Sequence, residues 1–145
     1  MTAYKFSPLL LLLFLFLGCS NDDAEVVIEN LSYEVFFENH LSYSEQEKIP
    51  KQYQVFKNQK DWLKFIPTIE KVNPDRAKYL KKIEFDFGND NLVIVIGENF
   101  SYCCSQITIN QFYRRNNKII ADFEESGPGL AAAFSQAYLL LKTPK

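Results

Sequence analysis

The sequence predicts an α+β fold: an antiparallel β-sheet or sandwich with one or two short helices over part of it, preceded by a signal peptide. Three observations carry that prediction. The run Asn91-Leu92-Val93-Ile94-Val95-Ile96-Gly97 is β-branched, continuous and far too short to span a membrane. It reads as a central strand buried on both faces, with turn residues Gly88-Asn89-Asp90 before it and Gly97 after it. Several other segments alternate apolar and polar residues with period two, as half-buried strands do. Two helix-start signals, at Asn58 and at Asn73-Pro74, fall between them.

The chain has 145 residues, 47% of them apolar and 15% aromatic, a composition that folds rather than stays disordered. Less its leader, that is one domain, large enough for a real core and too small for two. The net charge is −2, and the one local cluster of cations, Lys78, Lys81 and Lys82, reads as a solvated helix face. No basic footprint for nucleic acid is expected.

Residues 1–18 carry one cation, Lys5, and then the apolar block Leu9 to Leu17, the size of a signal-peptide core. The block ends in Phe16-Leu17-Gly18-Cys19, which resembles the lipobox of bacterial lipoproteins, with Phe16 in place of the usual aliphatic residue. That resemblance implies acylation of Cys19 as the first mature residue. Several acyl chains anchor stably, at about 0.8 kcal/mol per buried methylene. The acidic Ser20-Asn21-Asp22-Asp23 resembles the surface-export signal of some Gram-negative lipoproteins; a plain solvated tether is the alternative. The expected address is the outer membrane, lipid-anchored and displayed outward. The domain limits follow: 1–18 leader, 19–30 lipidated Cys19 and tether, 31–145 one β-rich domain.

In the mature chain, Leu31, Tyr33, Val35 and Phe37 alternate with Ser32, Glu34, Phe36 and Glu38 as a strand. His40, the sole histidine, is placed in a surface loop and given no special role. Gln52 to Phe56 is a short strand. Asn58 caps a helix, with Asp61 placed to reach back to it, and Trp62, Phe65, Ile66 and Ile69 form its apolar stripe. Pro67 should end or kink that helix. A second helix, Pro74 to Leu80, leads into an alternating strand at Ile83, Phe85 and Phe87. After the central strand come a loop from Glu98 to Cys104, a strand around Ile107 and Ile109, a tight hairpin at Asn116-Asn117 and a return strand, Lys118 to Phe123. Ser126-Gly127-Pro128-Gly129 is a loop. For residues 131–137 both helix and strand stay open, and local propensity favours helix through Leu141.

Little in the sequence speaks for bond-breaking chemistry. It has no His-Glu-x-x-His, no Gly-x-Ser-x-Gly, no phosphate-cradling loop and no zinc-type cysteine spacing. No cofactor or metal is therefore expected. Cys103 and Cys104 are adjacent. Two thiols on opposite faces of a strand are the first expectation, with a disulfide between neighbours and an intermolecular or metal role as alternatives. Glu124-Glu125 reads as a strand end entering a loop.

From Tyr53 onward the order of features resembles the C-terminal domain of PrcB-type protease-complex subunits. It runs through Tyr53-Gln54-Val55-Phe56, the Trp62 helix, Phe85-Asp86-Phe87, the strand closing on Gly97-Glu98 and the hairpin. Phe123-Glu124-Glu125-Ser126-Gly127-Pro128-Gly129 and the closing Lys142-Thr143-Pro144-Lys145 complete it. Two places depart from the family: Tyr102-Cys103-Cys104-Ser105 stands where a glycine-rich turn is usual, and Leu130 where a cysteine is common. The resemblance implies that Tyr138 to Leu141 is a strand. It also implies a non-catalytic lipoprotein that binds another protein, in some cases a secreted protease. The contacts are expected on loops 99–104 and 125–130: Asn99, Phe100, Ser101 and Tyr102, with Ser126, Gly127, Pro128 and Gly129. The alternatives are a chagasin-like protease inhibitor and a carbohydrate- or ligand-binding surface protein.

Overall fold

The apolar run at 91–97 forms the middle of a strand, β4 (Asp90–Phe100), and is buried along its whole length. The structure is a computed structural model; it describes residues 27–42, 48–101, 103–127 and 134–145. The other strands are β1 (Ile28–Asn30), β2 (Glu34–Ser42), β3 (Gln52–Phe56), β5 (Gln106–Arg115), β6 (Lys118–Ser126) and β7 (Ser135–Pro144). Between β3 and β4 lie α1 (Gln59–Val72) and α2 (Pro74–Lys81). The strands make two antiparallel sheets, in the orders β2-β7-β4-β3 and β1-β5-β6. The predicted α+β sandwich with two short helices is what forms.

β4 is buried on both sides because it is the middle of three layers. Successive side chains of a strand point to opposite faces. Leu92, Ile94 and Ile96, with Tyr138 and Leu140 of β7, meet Trp62, Phe65, Ile69 and Leu80 of the helices. Val93 and Val95, with Leu139 and Leu141, meet Ile107, Phe112, Ile119 and Ala121 of the second sheet. Each such side chain taken fully out of water contributes about 1.5–3 kcal/mol. A strand with two dry faces therefore needs no polar alternation, and its sequence shows none.

The helices begin as their sequences require. Asn58 Oδ1 accepts the Asp61 N–H at 2.9 Å, and Asn58 Nδ2 donates to Asp61 Oδ2 at 2.9 Å. Lys64 and then Asn58, both bonded to that carboxylate, hold Asp61 below the usual aspartate range. Asn73 caps α2 by accepting the Arg76 N–H at 2.9 Å. Pro67 does not end α1, which runs on to Val72. Ile69 and Val72 continue the buried stripe past the proline, and their burial offsets the missing backbone bond. Trp62 is fully buried and meets Phe56 of β3 edge-on, ring centres 5.2 Å apart.

Elsewhere local pattern and tertiary structure part. Ile83, Phe85 and Phe87 are not a strand; residues 83–86 have no regular structure and 87–89 form a turn. The Asp86 carboxylate accepts from Asn89 Nδ2 at 2.8 Å and from the Gly88 N–H at 2.9 Å, which fixes the turn and lowers the pKa of Asp86. The alternation there serves only to pack Ile83, Phe85 and Phe87 against the helix-side core. In β2 a bulge falls between Val35 and Phe37. Val35 is paired with Leu141 and Phe37 with Leu140, so the bulge sends them to opposite faces where simple alternation put them on one. Residues 28–30, assigned to the tether, pair with β5 as an edge strand. The hairpin turns at Asn116 and Asn117, with φ of 50° and 61°, as their composition predicts. Residues 135–144 are strand, and Tyr138 to Leu141 is buried on both faces like β4. Among the described residues no helix is long and apolar enough to cross a membrane.

Candidate functional site

The strand registers bring three connections to one end of the sandwich. Ser42 lies beside Ser135, Phe100 beside Ser135, Gln52 beside Ile96, and Gln106 beside Ser126. The chain therefore leaves the sheets at Ser42, Phe100 and Ser126 and re-enters them at Gln52, Gln106 and Ser135, all at this end. Of the loops expected at 99–104 and 125–130, Asn99, Phe100, Glu125 and Ser126 are strand instead, because β4 and β6 run on past the turn chemistry that the sequence shows.

Glu125 braces them. The register of β4 against β7 slips between Ile96 and Asn99, a bulge that takes Gly97 and Glu98 out of the ladder. A backbone donor removed from a ladder still needs a partner. The Glu98 N–H finds one in Glu125 Oε2 on β6 of the facing sheet, and Ser105 Oγ donates to Glu125 Oε1 at 3.2 Å. Gly97 is the residue that permits this, since a Cβ there would fall inside the Glu125 carboxylate. From the other side, buried Gln136 donates through Nε2 to the Gly97 carbonyl at 2.8 Å and to the Ile49 carbonyl at 2.7 Å. The second bond ties in Ile49, three residues before β3.

His40 is in a strand, β2, and not in a loop. Its Nε2 donates to the Ser105 backbone carbonyl at 2.7 Å, across the seam between sheets. Ser105, His40 and Glu125 are thus neighbours, but their bonding differs from that of a nucleophile relay. The serine is fully buried, its hydroxyl turns to the carboxylate, and the imidazole holds the backbone oxygen. What the arrangement can do is fix loop positions.

Asn99 and Phe100 sit half-buried at the end of β4, and Ser101 is exposed just beyond. The Asn99 Oδ1 is buried and meets no hydrogen-bond donor among the described residues. Ser126 and Gly127 are exposed at the end of β6, with Ser126 Oγ donating to the Gln106 carbonyl at 3.4 Å. Tyr102, Pro128 and Gly129 lie outside the described residues, as do Leu130, the leader, Cys19 and the acidic tether. Cys103 and Cys104 are joined by a disulfide, which corrects the expectation of two separate thiols. Neither lies in a continuous strand, so the alternation that would have sent them to opposite faces does not act on them.

Two residues of this brace escape a reading of the sequence. Glu125 looks like a strand end, and His40 like a loop residue, because their partners are distant in the chain. One signal was present: a glycine closing an unbroken β-branched run marks a bulge or a close approach as readily as a turn. Compared with known proteins, the chain matches no family model, no curated protein and no solved structure.

Proposed function

We propose that this chain is a lipid-anchored, non-catalytic binding module that presents the braced end of its sandwich to another protein, a secreted protease being the first candidate. The observation that carries the reading is that β4, β5 and β6 all end or begin at one end of the sandwich, where Glu125 is bonded to the Glu98 N–H and to Ser105 Oγ. Loops fixed on a rigid sheet give up little conformational freedom on binding, which favours recognition. The Cys19 motif supplies the anchor, and the PrcB-like order of features supports a protein as the partner.

The test uses photo-crosslinking residues placed singly at Ser101 and Gly127 in the full chain in membranes, with Lys64 on the exposed face of α1 as control. One adduct of defined mass from both loop positions and none from the helix is expected. Equal labelling from all three, or none, would end the proposal. Titration of the purified chain against papain-type and subtilisin-type enzymes separates a passive partner from an inhibitor, which alone would abolish turnover at one equivalent.

A further inference from the structure

We infer that a groove between the free edges of β3 and β6 binds an extended acidic segment of another polypeptide, carboxylates alternating with apolar residues, as an added strand. This stands apart from the loop-end reading and uses none of its candidate contact residues, 99–102 and 126–129.

Among the described residues β3 ends one sheet and β6 the other, each with an unpaired outer edge. The two edges lie on the same open side of the sandwich. At one end Val55 of β3, Lys57 just after it, and Lys118 and Ile119 of β6 line a cleft of about 1080 Å³, together with Arg115 and the hairpin tip. Further along, Lys51 and Gln52 line a hollow of about 640 Å³ with Ala121, Asp122 and Phe123. Tyr53 lines both, so the two hollows are consecutive stretches of one groove. At the far end Lys51 stretches over the Phe123 ring, 5.1 Å from its centre, and bounds it. A groove that follows β3 from Lys51 to Lys57 is about 20 Å long at the rise of a strand.

Three features select the occupant. The first is direction. Edge strands offer a row of unpaired N–H and C=O groups, and a groove bounded by two of them suits a chain that supplies the same row. The second is the floor. Tyr53, Val55, Ile119 and Phe123 belong to or pack against the core between the sheets, so alternate positions of a bound strand meet apolar side chains. A free phosphate would leave that floor unused.

The third is charge. Lys57, Arg115 and Lys118 have no carboxylate partner among the described residues, while Arg114 beside them is paired with Glu29 at 2.9 Å. Asp122, in the second hollow, is the one acidic side chain among the described residues of the lining. In a chain of net charge −2, this runs against the global balance. Lysines on an edge also keep copies of the same protein apart, because two basic edges repel. The same charge that excludes a second copy admits an acidic strand. The sequence hides the cluster, since its cations come from the residue after β3 and from both arms of the β5–β6 hairpin. The run expected to be the one basic cluster, on α2, has Lys78 paired with Asp75 at 3.3 Å.

The probe is a short fluorescein-labelled peptide alternating Glu with Val and Tyr, titrated into the full chain in detergent. Saturable binding is expected, weakening as salt is raised. The K57E/K118E variant should bind about tenfold more weakly or worse, as the loss of close charge pairs predicts. Both lysines are exposed, so the variant should keep its circular dichroism. N-methylation of alternate peptide residues should also cost about tenfold or more, by removing the strand's donors. Amide exchange should slow in β3 and β6 and stay unchanged at Gly97 to Ser101. No saturable binding overturns the proposal. So does indifference to N-methylation, or equal competition by inorganic polyphosphate, anionic-lipid vesicles or single-stranded RNA. A loop-end partner that still crosslinks to the K57E/K118E variant leaves the first proposal standing by itself.

Discussion

The two faces of the central strands are covered by different materials, and the difference separates stability from recognition. On one face, α1 and α2 supply Trp62, Ile69 and Leu80, each at 0% exposure, over Leu92, Ile94, Ile96 and Leu140. On the other, the second sheet supplies Phe112 at 6%, Ile107 at 8% and Ile119 at 9% exposure. A helix can lay a continuous stripe with a large ring in its middle over a sheet, and so seal it. Two sheets of unequal width leave an open side, and the groove lies there. The sealed face should carry most of the folding free energy, while the open face keeps backbone and cations accessible.

The largest expected effect breaks the sealed face. Trp62→Ala removes the biggest fully buried side chain and should destabilise by about 3–5 kcal/mol in urea unfolding. A loss below about 1 kcal/mol would show that the helices are a cover and not the main core. Ile119→Ala, on the open face, should cost about 2 kcal/mol, at the low end for such truncations, because its site is already at the rim. Hydrogen exchange should show the matching hierarchy, with β5 and β6 opening at lower free energy than β4 and β7. Uniform protection across both sheets contradicts the comparison.

Smaller changes sharpen it. Gly97→Ala pushes a Cβ into the Glu125 carboxylate and should cost about 1–2 kcal/mol, through the displaced bond to the Glu98 N–H. With Glu125→Ala already present, the same substitution should cost markedly less, since the clash is gone. Strict additivity in that cycle would mean that the brace is not the reason for the glycine. Tyr138→Phe should be the mildest, within about 0.5 kcal/mol of neutral, although Tyr138 is fully buried. Its hydroxyl meets no partner among the described residues, and burial pushes its pKa far above the usual tyrosine range. A loss above about 1.5 kcal/mol in calorimetry would reveal a bonded hydroxyl instead.

Wherever one residue's neighbours in sequence are also its neighbours in space, the sequence was readable by eye. Asn58 with Asp61, Asn73 with Pro74 and the Asn116-Asn117 turn are local contests between backbone and side chain, decided within four residues. The double-faced burial of 91–97 was legible for a related reason: an unbroken apolar run has no wet side to offer. The error at Ile83 to Phe87 has a cause of the opposite kind: period-two alternation says which side chains seek burial, not whether a partner strand exists for the backbone. For Tyr138 to Leu141 the strand that the resemblance implied is what forms; the local helix preference is a few tenths of a kcal/mol per residue, and pairing on both edges with β2 and β4 overrides it.

The sequence by itself thus determined the class of fold, the caps, the turns and the dry central strand, because those depend on interactions closed over a few residues. Only the tertiary structure decided that Gly97, Glu125, Ser105 and His40 meet, and that Lys57 and Lys118 line one groove. Those arrangements join residues 20 to 65 positions apart, and the pairing of sheets that brings them together is written in no local pattern.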